Sequence, residues 1–152
     1  MKLEHSYSVI IPAYNEEKAI GSVLTEIAGK LNNTGQVYEI IVVNDCSKDN
    51  TKDEIVNSGI PAVIIDNVKN MGYGASLKVG IDNAQNDIIC ITDADGTYPN
   101  DEIPFLVEKL INNNFDMVVG ARTGEKVKIP LIRKPAKWAI GKLANWITGV
   151  SI

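Results

Sequence analysis

The segment Cys90-Ile91-Thr92-Asp93-Ala94-Asp95-Gly96-Thr97-Tyr98-Pro99 carries an apolar run, Ile88 to Ile91, straight into two carboxylates separated by one small residue. Apolar runs of this length bounded by turn residues read as buried strands. On an extended segment, Asp93 and Asp95 stand at i and i+2, so their side chains leave on the same side. Such a pair at a strand exit is a seat for a hard divalent cation. Mg²⁺ typically takes one or two protein carboxylates and fills its other positions with phosphate oxygens and water. The pair alone is weak evidence: with ten Asp in 152 residues, chance gives roughly 0.65 Asp-x-Asp pairs. Its context decides what it is worth.

Working outward, apolar patterning predicts strands at Tyr7–Ile11, Tyr38–Val43, Ala62–Ile65, Ile88–Thr92 and Met117–Val119. Helices are predicted between them. The first has Asn15 as N-cap, Glu16 and Glu17 in its first turn, and Ile20, Val23, Leu24, Ile27 and Leu31 at helical spacing. A short helix covers Thr51 to Asn57. Another spans Gly74 to Ala84, with Leu77 and Ile81 inward, and one starting between Asn100 and Pro104 carries Phe105, Leu106, Leu110 and Ile111. Strands alternating with helices predict an α/β fold of three layers, α/β/α, around a mostly parallel sheet.

The polar motifs fall at corresponding places. Pro12–Glu16, Asn44–Ser47, Asn70–Gly74 and Asp93–Asp95 each follow the carboxyl end of a strand, directly or nearly so. Open α/β sheets bind ligands outside those ends, at a topological switch point. This concentration on one edge predicts a nucleotide site. The dinucleotide fingerprint is absent, because Gly72-x-Gly74 lacks the third glycine and the first strand leads into Pro-Ala-Tyr-Asn-Glu. No Gly-x-x-x-x-Gly-Lys-Ser/Thr occurs either, which excludes the P-loop.

Composition, 45% hydrophobic and 22% charged, is that of an ordinary globular chain. No apolar run reaches bilayer-spanning length and residues 1–5 lack the core of a signal peptide. Cys46 and Cys90 lack metal-ligand spacing and point to a reduced compartment; the single His5 excludes a His-rich metal site and argues against a Ser/His/Asp triad. Charge is divided. Residues 1–121 hold eight basic against eighteen acidic side chains, whereas 122–152 hold seven basic ones against Glu125 alone. A basic tail of this kind faces phosphate groups or a membrane surface, or is simply a solvated face.

Four motifs in order, Val9-Ile-Ile-Pro-Ala-Tyr-Asn-Glu-Glu17, Val43-Asn-Asp-Cys-Ser-Lys-Asp-Asn-Thr51, Asn70-x-Gly-x-Gly-Ala75 and Thr92-Asp-Ala-Asp-Gly-Thr-Tyr-Pro99, resemble the family 2 glycosyltransferases of GT-A fold. The branch they resemble is the dolichol-phosphate mannosyltransferase-like, or polyprenyl-phosphate glycosyltransferase, group. The resemblance covers residues 7–122 well and 123–152 loosely, so the expected division is a nucleotide-sugar-binding core, 1–122, and a basic acceptor-side region, 123–152. It implies that Pro12, Tyr14 and Glu16 line the nucleoside pocket and that Asp45 accepts a base N–H. Uracil N3 and guanine N1 both offer one, so UDP and GDP stay open. Gly72 and Gly74 would let the backbone approach the nucleotide, and Asp93 and Asp95 would hold Mg²⁺ or Mn²⁺ against the diphosphate. Arg122 would contact a phosphate. Each has a plainer reading: a helix-start turn for Tyr14 and Glu16, an Asx-turn for Asp45, turn glycines, and a surface ion pair for Arg122. Relatives commonly carry Leu-Gln where this chain has Gly96-Thr97, so no Gln contact is carried over.

The implied reaction is metal-dependent, inverting transfer of a hexose from a UDP- or GDP-sugar to a polyprenyl phosphate or another glycan or lipid acceptor. No general base beyond the two aspartates stands out. A phosphate acceptor needs none, since its second pKa is about 6; otherwise the base lies beyond residue 152, where the family pattern continues. Truncation at the C-terminus is therefore expected. On a helical wheel Ala136, Ile140, Leu143 and Ile147 share one face, opposite Lys134, Lys137, Trp138, Gly141 and Asn145. This fits an interfacial helix as well as one packed on the sheet. The expected location is cytoplasmic, at the membrane face, with peripheral lipid contact and no nucleic-acid partner. Two other readings stand beside this one: a nucleotide-binding module without catalysis, and a sugar-1-phosphate nucleotidyltransferase. The latter ordinarily shows a Gly-rich loop with a basic residue after its first strand, which Pro12–Glu16 does not supply.

Overall fold

The computed structural model describes residues 5–121. Its elements are β1 (Tyr7–Ala13), α1 (Ile20–Leu31), β2 (Tyr38–Asn44), α2 (Thr51–Asn57), β3 (Val63–Asp66), α3 (Tyr73–Asp82), β4 (Ile88–Ile91) and α4 (Ile103–Asn112), with 3₁₀ turns at Asn32–Thr34 and Asn100–Glu102. All of them lie in a compact unit that ends at Val118. The four strands form a parallel sheet in the order β3-β2-β1-β4. Chain order therefore reverses beside β1, which has β2 on one side and β4 on the other. That is the switch point at which open α/β sheets place their ligands.

The pleat sorts the core into two layers. Tyr7, Val9, Ile11 and Ala13 of β1, with Ile40 and Val42 of β2, pack against Ile20, Val23, Leu24, Ile27 and Leu31 of α1, Ile55 of α2, and Ile103 and Val107 of α4. Ile10, Ile41 and Val43 face the other way, towards Leu77 and Val79 of α3. Cover on both faces explains the near-continuous apolar runs of the central strands β1 and β2, whereas β3 and β4, including the run Ile88–Ile91 expected to be buried, are only partly covered.

Three expectations are corrected. Strand β1 runs on through Pro12 to Ala13. It does so because β4 pairs only as far as Ile10, leaving Pro12 beyond that ladder. On α3 the buried positions are Ser76 and Gly80, while Ile81 is exposed. Helix α3 sits so close to the sheet that a Cβ on Gly80 would lie 2.3 Å from Ile10 Cγ2 and 3.3 Å from Val43 Cγ2. The glycine allows this close approach, beside the contacts of Leu77 and Val79. Replacing Gly80 with Ala is therefore expected to cost about 1–3 kcal/mol by overpacking, read as a lower denaturant midpoint at unchanged m-value. Finally, Met117–Val119 is not a strand, and Met117 and Val119 are exposed. Three apolar residues do not hold an extended conformation without a ladder partner for their backbone groups, and no strand among the described residues pairs with them. Arg122 and the basic tail lie outside the described residues.

Candidate functional site

The loops after β1 and β2 are fastened to each other. Asn15 is not a helix cap: it adopts φ +57°, and α1 begins only at Ile20. Instead the amide N–H groups of Asn15, Glu16 and Glu17 donate to Ser47 Oγ (3.0 Å), Thr51 Oγ1 (2.8 Å) and Asp49 Oδ2 (3.2 Å). In return Asn15 Oδ1 accepts from Lys48 N (2.8 Å), and Glu17 Oε2 from Asn50 N and Nδ2 (both 3.1 Å). Glu16 and Glu17 thus precede the helix rather than forming its first turn. This mutual bracing fixes Tyr14 and Glu16 at the rim of the sheet.

Asp45, which is 4% exposed, organises the next loop. Its Oδ1 accepts from Asn67 Nδ2 (2.7 Å) and Met71 N (2.9 Å), and its Oδ2 from Gly72 N (2.8 Å). Burial pushes its carboxyl up. Hydrogen bonds from Asn67, from the Met71 and Gly72 amides, and with Ser76 outweigh this and hold it below the usual carboxylate range. These contacts claim most of the roughly four acceptor sites of a carboxylate. The Asx-type contact expected here belongs to its neighbour, since Asn44 Oδ1 accepts from Ser47 N (3.2 Å).

The strand exit after β4 also differs from the extended pair expected. Strand β4 stops at Ile91, and Ala94 and Asp95 form a turn. The base of the loop is closed by a buried hydrogen bond from Thr92 Oγ1 to Asn100 Oδ1 (2.7 Å). Thr97 N donates to Asp95 Oδ1 (2.8 Å), which curls the loop and competes with the extended form.

These loops enclose a cleft of about 200 Å³ lined by Pro12, Ala13, Tyr14, Glu16, Asp45, Tyr73, Ser76, Asp93, Ala94 and Asp95. Six of the candidate residues, Pro12, Tyr14, Glu16, Asp45, Asp93 and Asp95, meet there. Gly72 and Gly74 do not line it. Gly72 is needed for its φ of +85° and for its amide on Asp45, whereas Gly74 lies in the first turn of α3. Sequence reasoning missed Tyr73 and Ser76. The available signal was an aromatic residue between two glycines at a helix start.

Among the described residues no Lys or Arg lines the cleft. The Glu16 carboxyl is pushed up by burial, then by the charges of Asp95, Asp49 and Asp93. Burial and the Asp93 hydrogen bond push the Tyr73 hydroxyl up to about 12, so it remains a donor at neutral pH. Among the described residues no group of three His, Cys, Asp or Glu side chains could enclose a metal ion. Mg²⁺ usually takes one or two protein carboxylates and fills its other positions with phosphate oxygens and water, and Asp93 and Asp95 line the cleft as two carboxylates of that kind.

Comparison with known proteins agrees with this geometry. The pattern of Glycosyl transferase family 2 matches residues 8–148, and the chain belongs to that family. It is 29% identical over 149 residues to the dodecaprenyl-phosphate galacturonate synthase of Rhizobium johnstonii, covering 95% of this chain and 44% of that protein. It is 36% identical over 132 residues to the dolichol-phosphate mannosyltransferase of Pyrococcus furiosus, covering 84% and 37%. Among solved structures it is similar to glucosyl-3-phosphoglycerate synthase from Mycobacterium tuberculosis in complex with Mn²⁺, UDP and glucosyl-3-phosphoglycerate. The TM-score is 0.61 at 30% identity, over 72% of this chain and 40% of that one. The fold is the GT-A α/β fold of these glycosyltransferases. The chain spans less than half the length of these relatives.

Proposed function

We propose that the cleft binds a nucleoside-diphosphate sugar together with Mg²⁺ or Mn²⁺. The protein then transfers the hexose, with inversion, to a polyprenyl phosphate or a related lipid or glycan acceptor. The observation that carries this reading is the meeting of Asp93 and Asp95 with Asp45 and Tyr14 in one cleft at the β1/β4 switch point. Pro12, Tyr14 and Glu16 take the nucleoside, the Tyr14 ring offering its face to the base or its hydroxyl to the sugar. Asp45 accepts the base N–H while holding the loop that closes over it. Asp93 and Asp95 hold the cation. When bound, the cation offsets the charge developing on the departing nucleoside diphosphate. The acceptor oxygen attacks the anomeric carbon as its bond to the diphosphate oxygen breaks, and that bond's electron pair leaves with the diphosphate. An acceptor phosphate is already anionic near neutral pH and needs no general base.

Arg122 remains a proposed phosphate contact and residues 123–152 a proposed acceptor-side region. A site of action at the cytoplasmic face of the membrane is supported by the charge of 122–152. Among the described residues no helix is long and apolar enough to cross a membrane. Calorimetric titration with UDP-glucose and GDP-mannose, with and without Mn²⁺, tests the donor half. One nucleotide is expected to bind, more tightly with metal; binding of neither under any condition would overturn the assignment. Transfer of radiolabelled sugar from the nucleotide donor to polyprenyl phosphate tests the acceptor half.

A further inference from the structure

Tyr73 is an aromatic side chain of the cleft that hydrogen-bonds a candidate metal ligand. It is the first residue of α3, and its backbone is fixed by what precedes it. Gly72 takes φ +85°, and the Met71 and Gly72 amides are tied to the buried Asp45 carboxylate. From that start the phenol reaches the exit of β4, where its hydroxyl donates to Asp93 Oδ1 at 2.9 Å. Tyr73 is 51% exposed. A buried tyrosine must find a protein partner for its hydroxyl, but a half-exposed one has water at hand. Its partner here is the Asp93 carboxylate. Carboxylates that ligate metals are themselves commonly held by a second hydrogen bond that sets their orientation.

We propose that Tyr73 is a positioning residue for Asp93, its hydroxyl fixing the orientation in which the carboxylate meets the cation. This rests on the reading of the cleft as a metal–nucleotide site. Its consequence is selectivity. Mg²⁺ demands near-octahedral geometry, which one oxygen per carboxylate satisfies; Ca²⁺ accepts mono- or bidentate carboxylates in a looser shell. A carboxylate held in one orientation suits the cation with the stricter geometry more than the one with the looser shell.

The test is Tyr73→Phe, which removes one hydroxyl and keeps the ring. Mn²⁺ binding is measured by electron paramagnetic resonance with UDP and with GDP, and Ca²⁺ binding by competition against the same signal. Mn²⁺ is expected to bind about tenfold more weakly and Ca²⁺ to change much less, narrowing the preference for Mn²⁺. The thermal midpoint should stay at the wild-type value. Tyr73→Ala should show the same loss for Mn²⁺. Unchanged Mn²⁺ binding in Tyr73→Phe would overturn the proposal. So would equal weakening of both cations alongside a lowered thermal midpoint, which marks a merely structural contact. Failure of the wild-type chain to bind Mn²⁺ with either nucleotide would instead remove the metal site itself, and the role of Tyr73 with it.

Discussion

Asp93→Asn and Asp95→Asn are each expected to abolish the metal-dependent part of nucleotide affinity while leaving the fold intact. Asn keeps the size of the side chain and its acceptor oxygen but carries no charge. Tyr73 and Thr97 can still donate to it, and Asp95 is exposed, so stability should move by no more than about 0.5 kcal/mol. The cation loses half of the charge the protein offers it. A fall of about 100-fold in nucleoside-diphosphate affinity with Mn²⁺ present is expected, roughly 3 kcal/mol at 1.4 kcal/mol per tenfold. Affinity without metal should barely change. Titration calorimetry of both variants with and without Mn²⁺ measures the difference directly. If the gain from Mn²⁺ is the same as in the wild type for both, the carboxylate pair is not the metal seat.

Asp45→Ala is expected to cost stability as well as binding. It strips the acceptor from Asn67 Nδ2, Met71 N and Gly72 N at once, in a place that is nearly closed to water. Hydrogen bonds to a charged group contribute about 1.5–3 kcal/mol each, and they are not additive. A loss of about 3–5 kcal/mol by denaturant unfolding is the expected size. The loop carrying Tyr73 should loosen with it, and the affinity of either nucleotide should fall. The same contacts set a pH dependence. The folded-state carboxyl is held below its unfolded value by Asn67, Met71, Gly72 and Ser76 against the opposing effect of burial. Its contribution is therefore fully present above the unfolded pKa of about 3.9 and is lost as pH falls through the lower folded value. Between pH 5 and pH 2.5 the wild type should lose more stability than Asp45→Asn. Parallel acid titrations of the two would refute this assignment.

Much of the scaffold was legible because its signals are local. A run such as Ile40–Val43 needs only its own composition to read as a buried strand, and the spacing from Ile20 to Leu31 to read as one face of a helix; Ile88–Ile91 is the expected strand but only partly buried. That polar motifs follow successive strands was enough to expect Pro12, Tyr14, Glu16, Asp45, Asp93 and Asp95 on one sheet edge, because parallel strands bring all their carboxyl ends to the same side. The family resemblance carried by those motifs agrees with the match over residues 8–148.

What the sequence by itself determined, then, was the alternation of strands and helices and the edge on which the chemistry collects. Tertiary structure alone decided how that edge is held. Asn15 read as a helix cap because the four residues beyond it suit a first turn. In the fold, amides of residues 15–17 find partners at Ser47, Asp49 and Thr51, more than thirty residues away, and the helix starts later. Gly80 read as an unremarkable helical residue until the sheet came within 2.3 Å of its missing Cβ. Tyr73 sits twenty residues from Asp93 with no periodicity joining them. The physical reason is the same in all three cases. Propensity and hydrophobic period act between near neighbours in the chain, whereas a hydrogen bond or a steric contact depends on which distant segment the packed sheet brings alongside.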